Sequence, residues 1–281
     1  MSLIGRLSTR AGIDDVVVVA NDLQSRPNEL VESVDWLVPP RNLGFAGGFD
    51  YGYRSSPGAD YYLLLNNDVD LDDACIAECQ RVLLDASIGI VAPVLINSAG
   101  LQSGVGRLKR PLFVTDVHNY PRYEPVCDAR WVTGAVMFIR ASCYEETGFN
   151  LSYFLRWEDT DFCYRVREKG WRVAIASRAQ AWHEGGATLP AAGAIAYYYG
   201  ARNRIWFSRR WGSPAEACLV WLWIAAMITP RILLADCFKR RSLNHTRSVL
   251  HALADGLMTM PRADSALLGE PRPARWLRRR N

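Results

Sequence analysis

The sequence predicts an α/β protein: a doubly wound, mostly parallel sheet with a helical appendage at its C-terminal end. Two observations carry this. Short apolar, often β-branched runs alternate with segments whose apolar residues recur at helical spacing, the pattern of strands joined by crossover helices. From about residue 190 that alternation gives way to helices rich in aromatics and arginine, as in "YYYGARNRIWFSRRW". A chain of 281 residues accommodates one large domain with appendages, here residues 1–190 as the α/β domain and 191–281 as a helical region ending in a basic tail.

The elements follow in order. Residues 16–19, "VVVV", form a β-branched run suited to a buried parallel strand. "VDWLV" gives a second strand that stops at Pro39 and Pro40, and "RNLGFAGGFDYGYRSS" supplies a glycine-rich turn into a helix. "YYLLLNNDVDL" is the clearest strand, its apolar residues ending abruptly at Asn66, Asn67 and Asp68. Apolar or small residues at 75, 76, 79, 82 and 83 place a helix over about 72–84. "IGIVAPVLI" is another strand, and residues 97–128 read as loop-rich. "ARWVTGAVMFIR" reads as a strand crossing a glycine. "GWRVAIA" reads as a strand after a helix stopped by Gly170.

Hydrophobic content of 49% and charged content of 22% exclude wholesale disorder. The net charge of +4 draws on the late runs "FKRRS" and "RPARWLRRR", which suit a diphosphate or an anionic membrane surface; no nucleic-acid partner is expected. Seven cysteines, an odd number without a CxxC pair, argue against a disulfide framework or zinc site and for a reducing, cytoplasmic setting. The run "ACLVWLWIAAMITP" falls short of the roughly 20 residues of a spanning helix. It reads as a helix lying on the inner face of the plasma membrane, or one packed on the catalytic domain or at a homodimer interface.

Polar clusters fall at the carboxyl ends of the strands, where open α/β sheets bind ligands. Asp68 and Asp70 offer oxygen ligands of the kind Mg or Mn prefers, although a turn cap explains an isolated "NND" equally well. His183, in "AWHEGG" after the last strand, is a competent ligand for Mn and equally a structural histidine. "NLGFAGG" has the look of a phosphate cradle without a standard spacing. In "FLRWEDTDFCYR", Glu158, Asp159 and Asp161 are either first-turn acids favoured by the helix dipole or a carboxylate base beside its neighbours.

Taken in order, "VVVVAND", "NLGFAGGFDYGYR", "YYLLLNNDVDL", "WVTGAVMFIRAS", "FLRWEDTDFCYRVREKGWRVAIA", "AWHEGG" and "YYYGARNRIWF" resemble the family 2 glycosyltransferases, in particular rhamnosyltransferase-like enzymes of cell-surface polysaccharide assembly. The resemblance covers about residues 13–210. It implies a GT-A fold and a divalent cation, Mg or Mn. It also implies a nucleotide-diphosphosugar donor such as dTDP-rhamnose, and a glycan or lipid-linked acceptor. "NND" stands at the family's metal motif, implying Asp68 as metal ligand with Asn67 or Asp70 in support and His183 completing the site. The "ED" pair implies Asp159 as catalytic base with Glu158 beside it. Asn42, Gly44, Gly47, Gly48, Thr133 and Gly134 are implied to line the donor pocket, Trp131 or Trp157 to stack on sugar, and Arg202 with Asn203 to close over the diphosphate.

The family usually opens on a further strand and helix ahead of the one matched by "VVVVAND". Their absence here implies a start upstream of Met1 or a donor site built without them, and the backbone such a loss would expose favours the former. Rival readings are a nucleotidyltransferase on a similar fold, for which a basic activating loop is missing, and an inactive homologue that binds glycan or a partner.

Overall fold

The protein, seen in a computed structural model, is described for residues 3–22, 24–28, 30, 32–98, 100–101, 105–117, 124–183 and 193–261. It divides into two compact units: residues 1–107, 116–149 and 159–185 form the first, and residues 108–115, 150–158 and 186–281 the second. Two short excursions, 108–115 and 150–158, thus join the helical unit, whereas the sequence places them in the α/β domain.

Among the described residues the chain forms three sheets, and the two that lie wholly in the first unit have strands alternating with helices. Strands β1 (Val16–Val19) and β2 (Val34–Leu37) pair in parallel as a sheet of their own. The larger sheet runs β3 (Tyr61–Leu65), β11 (Val136–Arg140), β5 (Ile88–Asn97), β12 (Arg172–His183), β4 (Val69–Leu71). Its central pair, β5 and β12, is parallel, while β11 and β4 run antiparallel to their neighbours. The first eight residues of β5 are all buried, which is why "IGIVAPVLI" reads as an unbroken apolar run: both of its faces are covered. On one face pack Cys75, Ile76, Cys79 and Val82 of helix α3 (Asp73–Val82), whose start is fixed by Asp72 accepting the Cys75 N–H at 2.8 Å.

Helix α2 (Gly44–Ser55) explains the glycines differently from the phosphate-cradle expectation. Gly44, Gly48 and Gly52 recur every four residues. A Cβ at Gly48 would lie 2.5 Å from the Asn21 amide, and one at Gly52 3.1 Å from Val19. These residues are small so that α2 can lie against β1 and its following turn. Asn42 is a cap, its Oδ1 accepting the Gly44 N–H at 2.8 Å. Asn21 accepts from Leu43 N and donates to Gly44 O.

The stretch 97–128, read as loop-rich, contains short strands: Gly100–Leu101 beside β5, Val105–Lys109, Val114–Val117, and Val126–Asp128 antiparallel to β12. The first and last are too short to show a period of two, and in the sequences of the other two, "VGRLK" and "VTDV", apolar and polar residues do not strictly alternate.

In the second unit, helices α6 (Gly193–Trp211) and α8 (Asn244–Met258) pack on each other. Between them in sequence lies α7, a continuous 27-residue helix from Pro214 to Arg240. The apolar run that the sequence shows ends at Pro230 and is too short to span a membrane. In the structure the helix passes through this proline, because the preceding turn (Ile224–Ile228) is a wider π turn that relieves the missing proline N–H, and Thr229 Oγ1 bonds the Ile224 carbonyl at 2.9 Å. By length and composition α7 is therefore sufficient to cross a membrane, and its most apolar stretch is only 17% buried, so it is not a core helix. Its start is a capping box between Ser213 and Glu216, with Glu216 also held by Arg110.

Candidate active site

The glycine within "WVTGAVMF" does not pass through a strand. Strand β10 (Trp131–Val132) ends just before it, β11 begins at Val136, and Thr133, Gly134 and Ala135 form a break between them. Two bonds organise this break. The Ala135 carbonyl accepts the Asn66 N–H at 2.9 Å, tying it to the turn that carries "NND" at the end of β3. The Gly134 N–H donates to Asp159 Oδ2 at 3.1 Å. A side chain at 134 would collide with the Phe45 ring, 2.6 Å from its Cβ, so only glycine brings this amide to the carboxylate.

Asp159 accepts three hydrogen bonds: from Gly134 N, and on its other oxygen from Thr160 N at 2.6 Å and Thr160 Oγ1 at 3.1 Å. Burial raises its pKa above the ordinary carboxylate value, and these donors oppose the rise without cancelling it. The group is thus a stronger base than a solvated aspartate while its orientation is fixed. Helix α5 (Glu158–Glu168) starts beside it. Glu158 is 6% exposed, and Asp161 is fully buried rather than a solvated first-turn acid.

On the other side of the NND turn, the antiparallel pairing of β4 with β12 sets His183 opposite Val69 and so beside Asp68. His183 Nε2 lies 3.4 Å from Asp68 Oδ1. That oxygen is buried and makes no hydrogen bond among the described residues. A carboxylate oxygen and a ring nitrogen at this spacing fit a hard or borderline divalent cation whose remaining positions are filled by water and phosphate oxygens. Asp70, half exposed, has Arg6 3.2 Å from its carboxylate. Among the described residues no group of three His, Cys, Asp or Glu side chains converges on one point. The expected three-ligand set becomes two. His183 is the last residue of β12 itself rather than part of a loop beyond it. Glu184 to Gly186 of "AWHEGG" lie outside the described residues. Asn67 is exposed in the turn, and Trp131 is buried with its Nε1–H unpartnered.

In the second unit, Arg202 and Asn203, expected to close over the diphosphate, are occupied by the protein's own backbone. Both are buried, at 5% and 0% exposure, beneath the segment 150–158. Asn203 Nδ2 donates to the carbonyls of Tyr153, Leu155 and Arg156 at 2.8, 2.9 and 2.8 Å. Arg202 donates to Ser152 O and to Asn203 Oδ1 while stacking on Trp206 and Tyr199. The carbonyls converge because Phe154, Arg156 and Trp157 all adopt positive φ, at 60°, 65° and 71°. Trp157 packs on Phe207 with ring centroids 5.0 Å apart. The pair "RN" holds a strained loop, the role that sequence spacing alone did not reveal.

No family profile matches the chain. A solved structure of GalNAc-T7 with UDP, GalNAc and Mn2+ superposes on it with a TM-score of 0.53 at 12% identity, over 70% of this chain and 42% of that one. The fold is GT-A. In sequence the chain is 26% identical over 198 residues to the low-salt glycan biosynthesis hexosyltransferase Agl10 of Haloferax volcanii, covering 65% of this chain and 62% of the relative. It is 28% identical over 174 residues to the uncharacterized protein Rv1525 of Mycobacterium tuberculosis, covering 58% of this chain and 63% of the relative. The chain thus spans a little over three-fifths of the curated relatives it matches. In sequence it is thus similar to a hexosyltransferase, and in fold to GalNAc-T7.

Proposed function

We propose that this chain is an inverting glycosyltransferase that moves a sugar from a nucleoside-diphosphate donor to a hydroxyl of a glycan or lipid-linked acceptor. The observation that carries this is the continuous arrangement of Asp159, the Gly134–Ala135 break and the Asp68–His183 pair at one end of the sheet. A base and a two-ligand cation site brought to the same strand ends suit a reaction in which an alcohol is deprotonated while a diphosphate leaves.

In this scheme Asp159 takes the acceptor hydroxyl proton as that oxygen forms a bond to the anomeric carbon. The carbon's bond to the diphosphate oxygen breaks on the opposite face, and its electron pair leaves with the nucleoside diphosphate. Attack from the opposite face inverts the anomeric centre, and no covalent glycosyl-enzyme forms. Gly134 N–H and Thr160 keep the carboxylate aimed and ionised until the proton arrives. Asp68 and His183 would hold Mg or Mn, which when bound supplies positive charge to the departing diphosphate. Kinship to a hexosyltransferase supports transfer of a hexose, and the resemblance of the motifs supports a deoxyhexose such as rhamnose as donor sugar.

The test is turnover of a panel of nucleotide sugars, dTDP-rhamnose among them, with and without Mn. Asp159→Asn should retain donor-dependent thermal stabilisation and lose at least about a hundredfold in turnover, the usual cost of a lost general base. Near-normal turnover in Asp159→Asn would remove Asp159 from this role.

A further inference from the structure

Helix α7 has its polarity arranged the wrong way round for a helix facing water. Its inner side carries a charge: Asp236 is 0% exposed, accepts from Thr246 N and Oγ1 at 2.8 Å each, and lies 3.1 Å from both Arg240 and His245. Its outer side is apolar. Leu219, Leu222, Met227, Leu233, Leu234 and Phe238 are all 40% exposed or more, with Phe238 at 80%. From 217 to 238 the sequence contains only two charged residues, Arg231 and the buried Asp236. A contiguous exposed face of this kind marks an interaction surface.

We propose that the outer face of α7 lies in the interfacial layer of an anionic lipid bilayer, parallel to its plane. The helix remains attached to its own unit because Val220, Ile224 and Ile232 are buried and the Asp236 network is fixed to α8 through Thr246 and His245. Crossing the bilayer would tear that network out of its partners and place a carboxylate in hydrocarbon. Arg240 is committed to Asp236 and to the Tyr197 hydroxyl, but Lys239 and Arg241 beside it are exposed, as is Arg247 on α8. These cations complement anionic headgroups, whereas a second copy of the same face presents none of the acids that would answer them. This inference stands independently of the glycosyltransferase assignment.

The experiment is flotation of the full chain with vesicles of phosphatidylcholine alone and of phosphatidylcholine mixed with phosphatidylglycerol. The chain should float with the mixed vesicles, less so at high salt. Leu234→Glu with Phe238→Glu should abolish flotation at unchanged Tm, since both side chains are exposed. Lys239→Gln should weaken binding about fivefold. As a second readout that needs no apolar substitution, a polarity-sensitive fluorophore on the exposed Cys237 should shift to the blue on mixed vesicles. Absence of flotation and of the blue shift would overturn the proposal. So would flotation that survives the double substitution, or a concentration-dependent dimer that the double substitution dissociates without any vesicle binding.

Discussion

Asn203 offers the sharpest quantitative test of how the second unit is held. Its amide orientation is fixed by chemistry, because the Arg202 guanidinium can only donate and the three carbonyls of Tyr153, Leu155 and Arg156 can only accept. Asn203→Ala removes the two N–H groups that these three carbonyls share. At about 1 kcal/mol net per bond, more for a group left buried without a partner, the cost is about 2–4 kcal/mol. The loop cannot relax cheaply, since Phe154, Arg156 and Trp157 at positive φ already store strain. Asn203→Asp keeps the shape but turns an oxygen towards three oxygens, so it should be at least as damaging as alanine despite being isosteric. Thermal and urea denaturation read this directly, at about 2–4 °C of Tm per kcal/mol for a chain of this size class. Asn203→Asp within about 0.5 kcal/mol of the unsubstituted chain would refute the assignment, that being the range of ordinary surface changes.

Further outcomes follow from the same coordinates. Catalysis by Asp159 requires its ionised form, and burial has raised its pKa. Activity should therefore fall on acidification at a pH above the ordinary carboxylate range, and Thr160→Val, which removes one donor to the carboxylate, should move that limb higher still in a pH–rate profile. Gly134→Ala drives a methyl into the Phe45 ring and should cost about 1–3 kcal/mol in a melting experiment, part of it recovered by Phe45→Leu. None of the seven cysteines forms a disulfide; Cys218 and Cys237 are exposed and the other five buried. Burial pushes Cys143 up to about 12 and Cys163 higher still. A disulfide reagent should thus titrate two thiols in the native protein and the remaining five only on unfolding; fast reaction of more than two would contradict the packing.

Much of this was legible in the sequence because strand ends announce themselves. The apolar run of β3 stopping at Asn66 and the doubly buried β5 produced unmistakable patterns, and both elements are where the pattern puts them. Asp68 and His183 were paired by resemblance and are adjacent in the structure, because β4 and β12 align antiparallel over three residues. What sequence reasoning missed shares one cause: a side chain's partner is set by tertiary contact, not by its neighbours in the chain. Asp70 sits two residues from Asp68 and has Arg6 beside its carboxylate. Arg202 and Asn203 look like ligand-binding polar residues until the carbonyls above them are seen. The glycines of α2 imitate a phosphate loop, although their spacing of four already signalled a helix face packed tightly on a strand. The apolar run counted to Pro230 is too short to span a membrane, and no local rule reveals the π turn through which α7 continues.

The central claim is that Asp68 and His183 form a cation site serving a nucleoside diphosphate. The most direct measurement is the thermal stabilisation of the chain by UDP, GDP and dTDP and their sugars, in the presence and absence of Mn. Stabilisation should require nucleotide and metal together, and Asp68→Asn and His183→Ala should each abolish it while leaving the unliganded melting temperature close to that of the unsubstituted chain. Stabilisation by nucleotide that is indifferent to Mn, or that survives Asp68→Asn unchanged, would contradict it.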